Sequence, residues 1–392
     1  MFWPLMKDCI TEEDKNSMVD FIRSTNRFTN GPRVKEFESL WSDWLGTRYS
    51  LFVSSGSAAN LLLAASVKEL YGLQRGDKVL VPAMTWVTNV APIIQLGLEP
   101  IFCDVDPTHF SFDTRHMEYL AKKHPDIKLV FVSHLFGFTA PIDEYKKILP
   151  KALFMEDVCE SHGAKAGDKK AGTLSVGSTF SFYFGHHMTT IEGGFVCTSN
   201  KDLYELMKAK RSHGMARECS PDLYEKYKSE NPDVHEQFLF ITDGYNLRNV
   251  ELNAVLGISQ LKSLDNNIRE RISNLKRFVD ICNKHDSLIV SFKMEGNSSF
   301  CLPFIVKDRE IKQKLETHLQ SNGIETRPLC SGNLLRQPFL KKDYQMDIPW
   351  ESNIEFLHHN GFFIGNNHMI TSEEFDKLSE IIDNFFNISK GG

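Results

Sequence analysis

The chain has 392 residues, and its 41% hydrophobic and 24% charged content is that of an ordinary globular protein, which excludes disordered and fibrous classes. With 45 Lys and Arg against 51 Asp and Glu the net charge is −6, so bulk electrostatics make no case for nucleic acid or an anionic membrane as partner. Any phosphorylated ligand must be recognised locally. Eight scattered cysteines form no Cys-x-x-Cys pair and no zinc spacing, and read as reduced thiols. No apolar run approaches a membrane span and the first residues lack a leader pattern, so a cytoplasmic protein without metal is expected. The length suits one large core and one smaller one.

In chain order, residues 11 to 24 read as an amphipathic helix capped by Thr11, with Glu12 and Glu13 favourable in its first turn. Arg27 to Pro32 breaks it, and helical spacing resumes from Val34 to Trp44 and stops at Gly46. Strands are predicted at Tyr49–Val53, Lys78–Pro82, Ile101–Val105, Leu129–Leu135, Leu153–Glu156, Thr179–Tyr183 and Gly194–Thr198, with helices at Ala58–Tyr71 and Val87–Leu96 between them. That alternation predicts an α/β fold with a mainly parallel sheet, whose ligands sit beyond the carboxyl ends of the strands. A Lys- and Arg-rich helix is expected from Asp202 to Met215, then a long polar loop from Arg217 to His235. One helix running from Asn253 towards His285 would link the lobes. Beyond it, Ser287–Phe292, Phe300–Ile305, a helix Ile311–Ser321 and a last helix Glu373–Phe386 suggest a smaller α+β lobe. We place the division between a large domain, 1–262, and a small one, 263–392.

Four places carry chemistry. Ser54-Ser-Gly-Ser-Ala-Ala-Asn60 lies between a strand and a helix, where backbone amides and the helix dipole bind phosphate, although such turns also simply cap helices. There is no Walker lysine and no Gly-x-Gly-x-x-Gly. Asp157 closes a buried strand, where a carboxylate must be paired or ligand-bound, or else caps the next turn. Trp86 follows Val81-Pro82 at the same sheet edge and either stacks on a flat ligand or packs in the core. The run Ser178-Thr-Phe-Ser-Phe-Tyr-Phe-Gly-His186-His187 to Glu192-Gly-Gly194 sets an imidazole pair after a strand, either as acid and base or as a polar edge. If the run is extended there, His187 faces away from His186.

Together with Gly244-Tyr-Asn-Leu-Arg248, these segments resemble the DegT/DnrJ/EryC1/StrS sugar aminotransferase family over essentially the whole chain. The resemblance implies the fold type I, aspartate aminotransferase-like transferase fold, with a seven-stranded sheet in the large domain, and pyridoxal 5′-phosphate or pyridoxamine 5′-phosphate as cofactor. In that family a lysine six residues before the Glu-Gly-Gly holds the cofactor covalently; here the position is His186. This resembles the branch of sugar 3-dehydratases, in which a histidine carries protons and the cofactor is held without a covalent link. One kind of these enzymes builds an iron–sulfur cluster from four cysteines, and the loop that would supply them here has only Cys219. The resemblance also implies Gly56, Ser57 and Ser181 on the phosphate, Trp86 on the ring and Asp157 on its nitrogen. Asn246 would reach the phosphate from the neighbouring subunit of a homodimer with shared active sites, and His213 and Arg248 would touch substrate. The implied partners are L-glutamate and a nucleotide-linked 4-keto-6-deoxy sugar, with GDP favoured. Two rivals stand beside this reading: an aminotransferase that recruits Lys165, Lys169 or Lys170, and a non-catalytic binder of sugar nucleotides.

Overall fold

The computed structural model describes residues 2–390, with side chains to residue 387. Helix α1 (Glu12–Ser24) starts at Thr11, whose hydroxyl accepts from the Asp14 amide while Asp14 accepts from the Thr11 amide, a reciprocal cap. Helix α2 (Pro32–Leu45) places proline where a helix needs no amide donor and stops at Gly46, with φ at +89°. Then β1 (Tyr49–Val53), α3 (Gly56–Leu70), β2 (Lys78–Pro82), α4 (Ala91–Gln95), β3 (Glu99–Cys103), α5 (Thr114–Lys123), β4 (Leu129–Ser133), α6 (Ile142–Ile148) and β5 (Leu153–Asp157) alternate along the chain. A short hairpin of β6 (Lys165–Ala166) and β7 (Lys169–Lys170) precedes β8 (Gly177–Ser181), β9 (Gly194–Thr198), α7 (Lys201–Arg211) and α8 (Pro221–Glu230).

Seven of these strands form one sheet in the order β1-β9-β8-β5-β4-β2-β3. Only β9 runs against its neighbours, paired antiparallel to both β1 and β8. All five residues of β4, β8 and β9 are buried, as a sheet covered by helices on both faces requires. This is the mainly parallel seven-stranded α/β architecture expected.

Two helices follow, α9 (Glu251–Leu261) and α10 (Leu264–Cys282). Leu264 and Ile268 of α10 enter the large-lobe core, whereas Leu275, Phe278, Ile281 and Cys282 enter the core of the second lobe, so α10 spans the two. The second lobe comprises β10 (Cys301–Ile305), α11 (Arg309–Ser321), β11 (Thr326–Pro328), α12 (Asn353–Asn360), β12 (Gly361–Gly365) and α13 (Ser372–Lys390), with an antiparallel sheet ordered β10-β12-β11. The start of the chain lies against this lobe: Trp3 is buried in its core and its indole N–H donates to the Gly365 carbonyl at 2.9 Å.

Several boundaries differ from expectation for physical reasons. The helix expected over Val87–Leu96 is a 3₁₀ turn at Val87–Asn89 followed by α4, because Pro92 can open a helix but not sit inside one. The strand expected at Ile101–Val105 lies two residues earlier, in register with β2 from Lys78 opposite Glu99, and the one expected at Thr179–Tyr183 is Gly177–Ser181. The polar loop 217–235 contains α8, opened by Pro221. The helix expected from Asn253 to His285 is two, interrupted at Lys262 and Ser263. Ser287–Phe292 makes only an isolated bridge, Leu288 to Val306. All eight cysteines are free, and no helix among the described residues is long and apolar enough to cross a membrane.

Candidate active site

The carboxyl ends of β2, β4, β5 and β8 and the start of α3 meet the second lobe around a cavity of about 600 Å³. Gly56, Ser57, Trp86, Asp157, Ser181 and His186 all line it. Each arrives by a local rule. Ser55 caps α3 by accepting from the Ala58 amide, which leaves the Gly56 and Ser57 amides, the first of the helix, without an intrahelical acceptor. A Cβ on Gly56 would stand 2.6 Å from the Ser181 Cβ and 3.1 Å from the Cys159 sulfur, so only glycine lets the helix start approach β8 this closely. On the far side a Cβ on Gly194 would meet the Ser55 carbonyl at 2.5 Å, which accounts for a glycine in the Glu-Gly-Gly run.

Asp157 ends β5 and is 7% exposed. Its Oδ2 accepts from the amides of Asn60 at 2.8 Å and Asn89 at 2.9 Å, and its Oδ1 from the Cys159 backbone amide at 2.9 Å. The two asparagines are themselves oriented, Asn60 by the Thr179 hydroxyl at 2.6 Å and Asn89 by the Thr85 hydroxyl at 2.7 Å. The carboxylate is therefore fixed, and Oδ1 keeps capacity for one more donor from the cavity. Trp86 is 55% exposed despite lining a cavity, which decides against core packing.

His186 sits in a loop that leaves β8 and returns on β9. Phe182 and Gly193 pair at 2.9 Å, Thr190 donates to Phe182 at 3.0 Å, and the His186 amide turns back onto Tyr183 at 3.0 Å. The segment is a turn and not the extended run that would have set the two imidazoles on opposite faces. The outcome for them is nevertheless different surroundings: His186 lines the cavity, whereas His187 is buried behind it with Nε2 2.6 Å from the Ser298 carbonyl. Burial, and then the Arg271 guanidinium, push His186 down to about 4. Glu160, on the same wall, accepts from the Phe136 amide at 3.1 Å and is pushed up to about 7 by burial, with Asp157 adding to the rise.

Four imidazoles around Arg271 share the downward shift: His186 and His368 to about 4, and His162 and His187 well below the ordinary 6.5. A depressed imidazole is neutral when folded but charges in the unfolded chain as pH falls below 6.5, so acidification favours unfolding. Glu160 acts in the opposite sense between the ordinary 4.5 and about 7, as does Asp104, also raised by burial, but His109 and His358 are depressed too, so the imidazoles outnumber the carboxyls. The thermal midpoint of the ligand-free protein is therefore expected to drop steadily between pH 7 and pH 5. A midpoint that stays level or rises over that interval would contradict these burials.

Three expected site residues lie elsewhere in this chain. His213 (φ +66°), Asn246 and Arg248 sit on two joined loops, with Ser212 bridged to Asn246 and the His213 amide 2.6 Å from the Tyr245 carbonyl. None of the three lines this cavity, although Arg248 bridges Val53 at the end of β1, next to the turn that opens α3. The rival lysines are also distant: Lys165, Lys169 and Lys170 form the β6–β7 hairpin, and Lys170 lies over the Trp44 ring. No lysine among the described residues lines the cavity. Sequence reading missed Asn60 and Asn89 as holders of Asp157, and the contributions of Leu5, Met6, Glu325 and Arg327 to the cavity wall.

The residues present fit a flat, phosphate-bearing ring. They combine an exposed indole, free amides at a helix start crowded against Ser181, and a fixed carboxylate with a spare acceptor. Comparisons with known proteins agree. Residues 8–382 match the DegT/DnrJ/EryC1/StrS aminotransferase family. The chain is 33% identical to GDP-4-keto-6-deoxy-D-mannose 3-dehydratase of Escherichia coli O55:H7 over 93% of this chain and 95% of that protein. Two solved structures of GDP-4-keto-6-deoxymannose-3-dehydratase are each 31% identical and cover 97% of this chain and 99% of theirs. One, with a trapped PLP-glutamate geminal diamine, has a TM-score of 0.88. The other, a histidine-to-asparagine mutant with bound GDP-perosamine, has a TM-score of 0.87.

Proposed function

We infer the reaction from the premise that this chain belongs to the DegT/DnrJ/EryC1/StrS aminotransferase family and carries an imidazole, with no lysine among the described residues, on its cavity wall. It is a pyridoxal-phosphate-dependent lyase with a glutamate-driven half-reaction, removing the C3 hydroxyl of a nucleotide-linked 4-keto-6-deoxy sugar. The product is a 3,6-dideoxy-4-keto sugar for a surface polysaccharide. GDP is the favoured nucleotide, since the similar 3-dehydratases are named for a GDP sugar and one is solved with GDP-perosamine bound. When bound, the cofactor supplies an electron sink and carries the amino group taken from glutamate.

The chain's own residues do the rest. Gly56, Ser57 and Ser181 would hold the phosphate, Trp86 would stack on the ring, and Asp157 would accept from its nitrogen. His186 takes a proton at the carbon next to the ring and delivers one to the C3 hydroxyl as it leaves, work suited to a single imidazole. Without a lysine amine to retain the cofactor covalently, elimination is favoured over amino transfer to the sugar. Asn246, His213 and Arg248 lie off this chain's cavity, which supports a homodimer in which they complete the partner's site, Asn246 on the phosphate and the other two on substrate. We place the enzyme in the cytoplasm, with the domain division at 262 and 263, between α9 and α10.

Incubation with glutamate, pyridoxal phosphate and a panel of GDP-, CDP-, UDP- and dTDP-linked 4-keto-6-deoxy sugars tests the reading by product mass. Loss of oxygen at C3 with ammonia release is expected; an amino sugar product would mean transamination, and no glutamate consumption would mean a binder. Borohydride treatment of the loaded protein is expected to give no pyridoxyl-lysine on peptide mapping, and a labelled lysine would refute the non-covalent site.

A further inference from the structure

Arg271 is 1% exposed on α10, where it occupies the same helical face as Leu264, Ile268, Leu275 and Phe278. Near it lie the thiols of Cys9 and Cys301, which burial keeps protonated and neutral, and no carboxylate among the described residues pairs with it. Its guanidinium ends instead on three backbone carbonyls: Phe300 at 3.1 Å, Asn366 at 2.6 Å and His186 at 3.4 Å. The Asn366 amide returns a bond to the Arg271 carbonyl at 3.0 Å, and Asn274 holds the Asn366 side chain at 3.0 Å. One side chain thus ties the loop that carries His186 to residues flanking β10 and β12 of the other lobe. A buried charge that meets only neutral carbonyls, with its Nε left without a partner among the described residues, is an expensive way to join segments that a neutral donor would join as well. The charge itself therefore has a use.

We propose that Arg271 is a positioning residue for His186: it fixes the His186 backbone against the second lobe and sets a permanent positive charge behind the ring. The imidazole then enters the reaction as an uncharged base and, once protonated, gives its proton up readily to the leaving hydroxyl. This rests on the reading of His186 as the proton carrier. The guanidinium is pushed down by burial to about 10 and so stays charged at neutral pH. Arg271 appears among the causes of depression for His162, His186, His187 and His368 alike. The other groups around His186 are His162, at 6.2 Å between ring centroids, His187, Tyr183 and Phe300. The remaining charged groups on the cavity wall are Asp157, Glu160, Glu192, Glu325 and Arg327.

The coupling is read without turnover by titrating the ¹⁵N-histidine resonances of the full-length protein, with His186 assigned by their loss in His186→Asn. In the wild type the His186 midpoint is expected at least about one pH unit below an ordinary imidazole, and Arg271→Met is expected to raise it by about one unit. Arg271→Lys, which keeps the charge but not the fork of donors, is expected to leave the midpoint low while lowering kcat roughly tenfold with little change in KM for glutamate. A wild-type midpoint at the ordinary value, which needs no variant to fold, overturns the proposal. So does an unmoved midpoint in Arg271→Met, or full kcat in Arg271→Lys. If the midpoints move as expected but His186→Asn keeps its turnover, the role of His186 is what fails, and the Arg271 coupling stands.

Discussion

His186→Asn is expected to bind cofactor and nucleotide sugar as the wild type does and to turn over about 10²–10⁴-fold more slowly, the usual loss for a positioned acid and base. Asparagine fills much of the ring's space on the cavity wall, and the backbone bonds of His186 to Tyr183 and Arg271 do not involve the side chain. His186→Lys should give a different failure. A primary amine on the same wall can trap the cofactor aldehyde, so a borohydride-stable cofactor band should appear as dehydration falls. His187→Asn separates chemistry from packing. Its ring is buried against the Ser298 carbonyl and away from the cavity, so the variant should lose thermal stability but keep dehydration. Dehydration surviving in His186→Asn but lost in His187→Asn would remove the basis for the mechanism.

Asp157→Asn is expected to lower the rate of the glutamate half-reaction roughly 10- to 150-fold, the equivalent of about 1.5–3 kcal/mol for a hydrogen bond to a charged group. The change also disturbs the carboxylate's holders. Three N–H donors converge on it, from Asn60, Asn89 and Cys159, and a side-chain amide can turn its oxygen to only some of them. A modest fall in melting temperature should accompany the rate loss. A variant that consumed glutamate at the normal rate would show that Asp157 does not hold the ring nitrogen.

The large lobe was legible because its signals are local. Short apolar runs rich in β-branched and aromatic residues, such as Leu129–Ser133 and Gly194–Thr198, read as strands buried on both faces, and Thr11, Pro32 and Gly46 mark helix ends by their own chemistry. His186 could be found because it interrupts a recognisable run at a fixed distance from Glu-Gly-Gly. The holders of Asp157 could not: Asn60 and Asn89 lie 97 and 68 residues away in sequence, and nothing local marks a side chain whose partner is supplied by the tertiary fold. The walls from Leu5, Met6, Glu325 and Arg327 were hidden for the same reason, since chain start and second lobe meet there only after folding. Arg271 did leave a trace. A charged residue spaced among Leu264, Ile268, Leu275 and Phe278, with Asn267 and Asn274 beside it, interrupts the apolar stripe of α10 and points to a buried polar contact.

The antiparallel strand β9 has a consequence for how this chain's reaction can change. Because β8 and β9 are adjacent partners, with Ser181 opposite Gly194, everything between them is a single hairpin loop closed at its base. The frame proposed to hold the ring, Asp157 on β5, Trp86 after β2 and the start of α3, is built outside that loop. On the proposed roles, the proton carrier and the holders of the ring thus lie on separable pieces of chain, although Tyr183, Phe184, Gly185 and Glu192 of the loop also line the cavity. Residues 182–193 could be exchanged as a cassette with those of a lysine-bearing relative, as long as the carbonyl that Arg271 grips stays in place. A library confined to that cassette would explore new outcomes on one sugar nucleotide without rebuilding the scaffold.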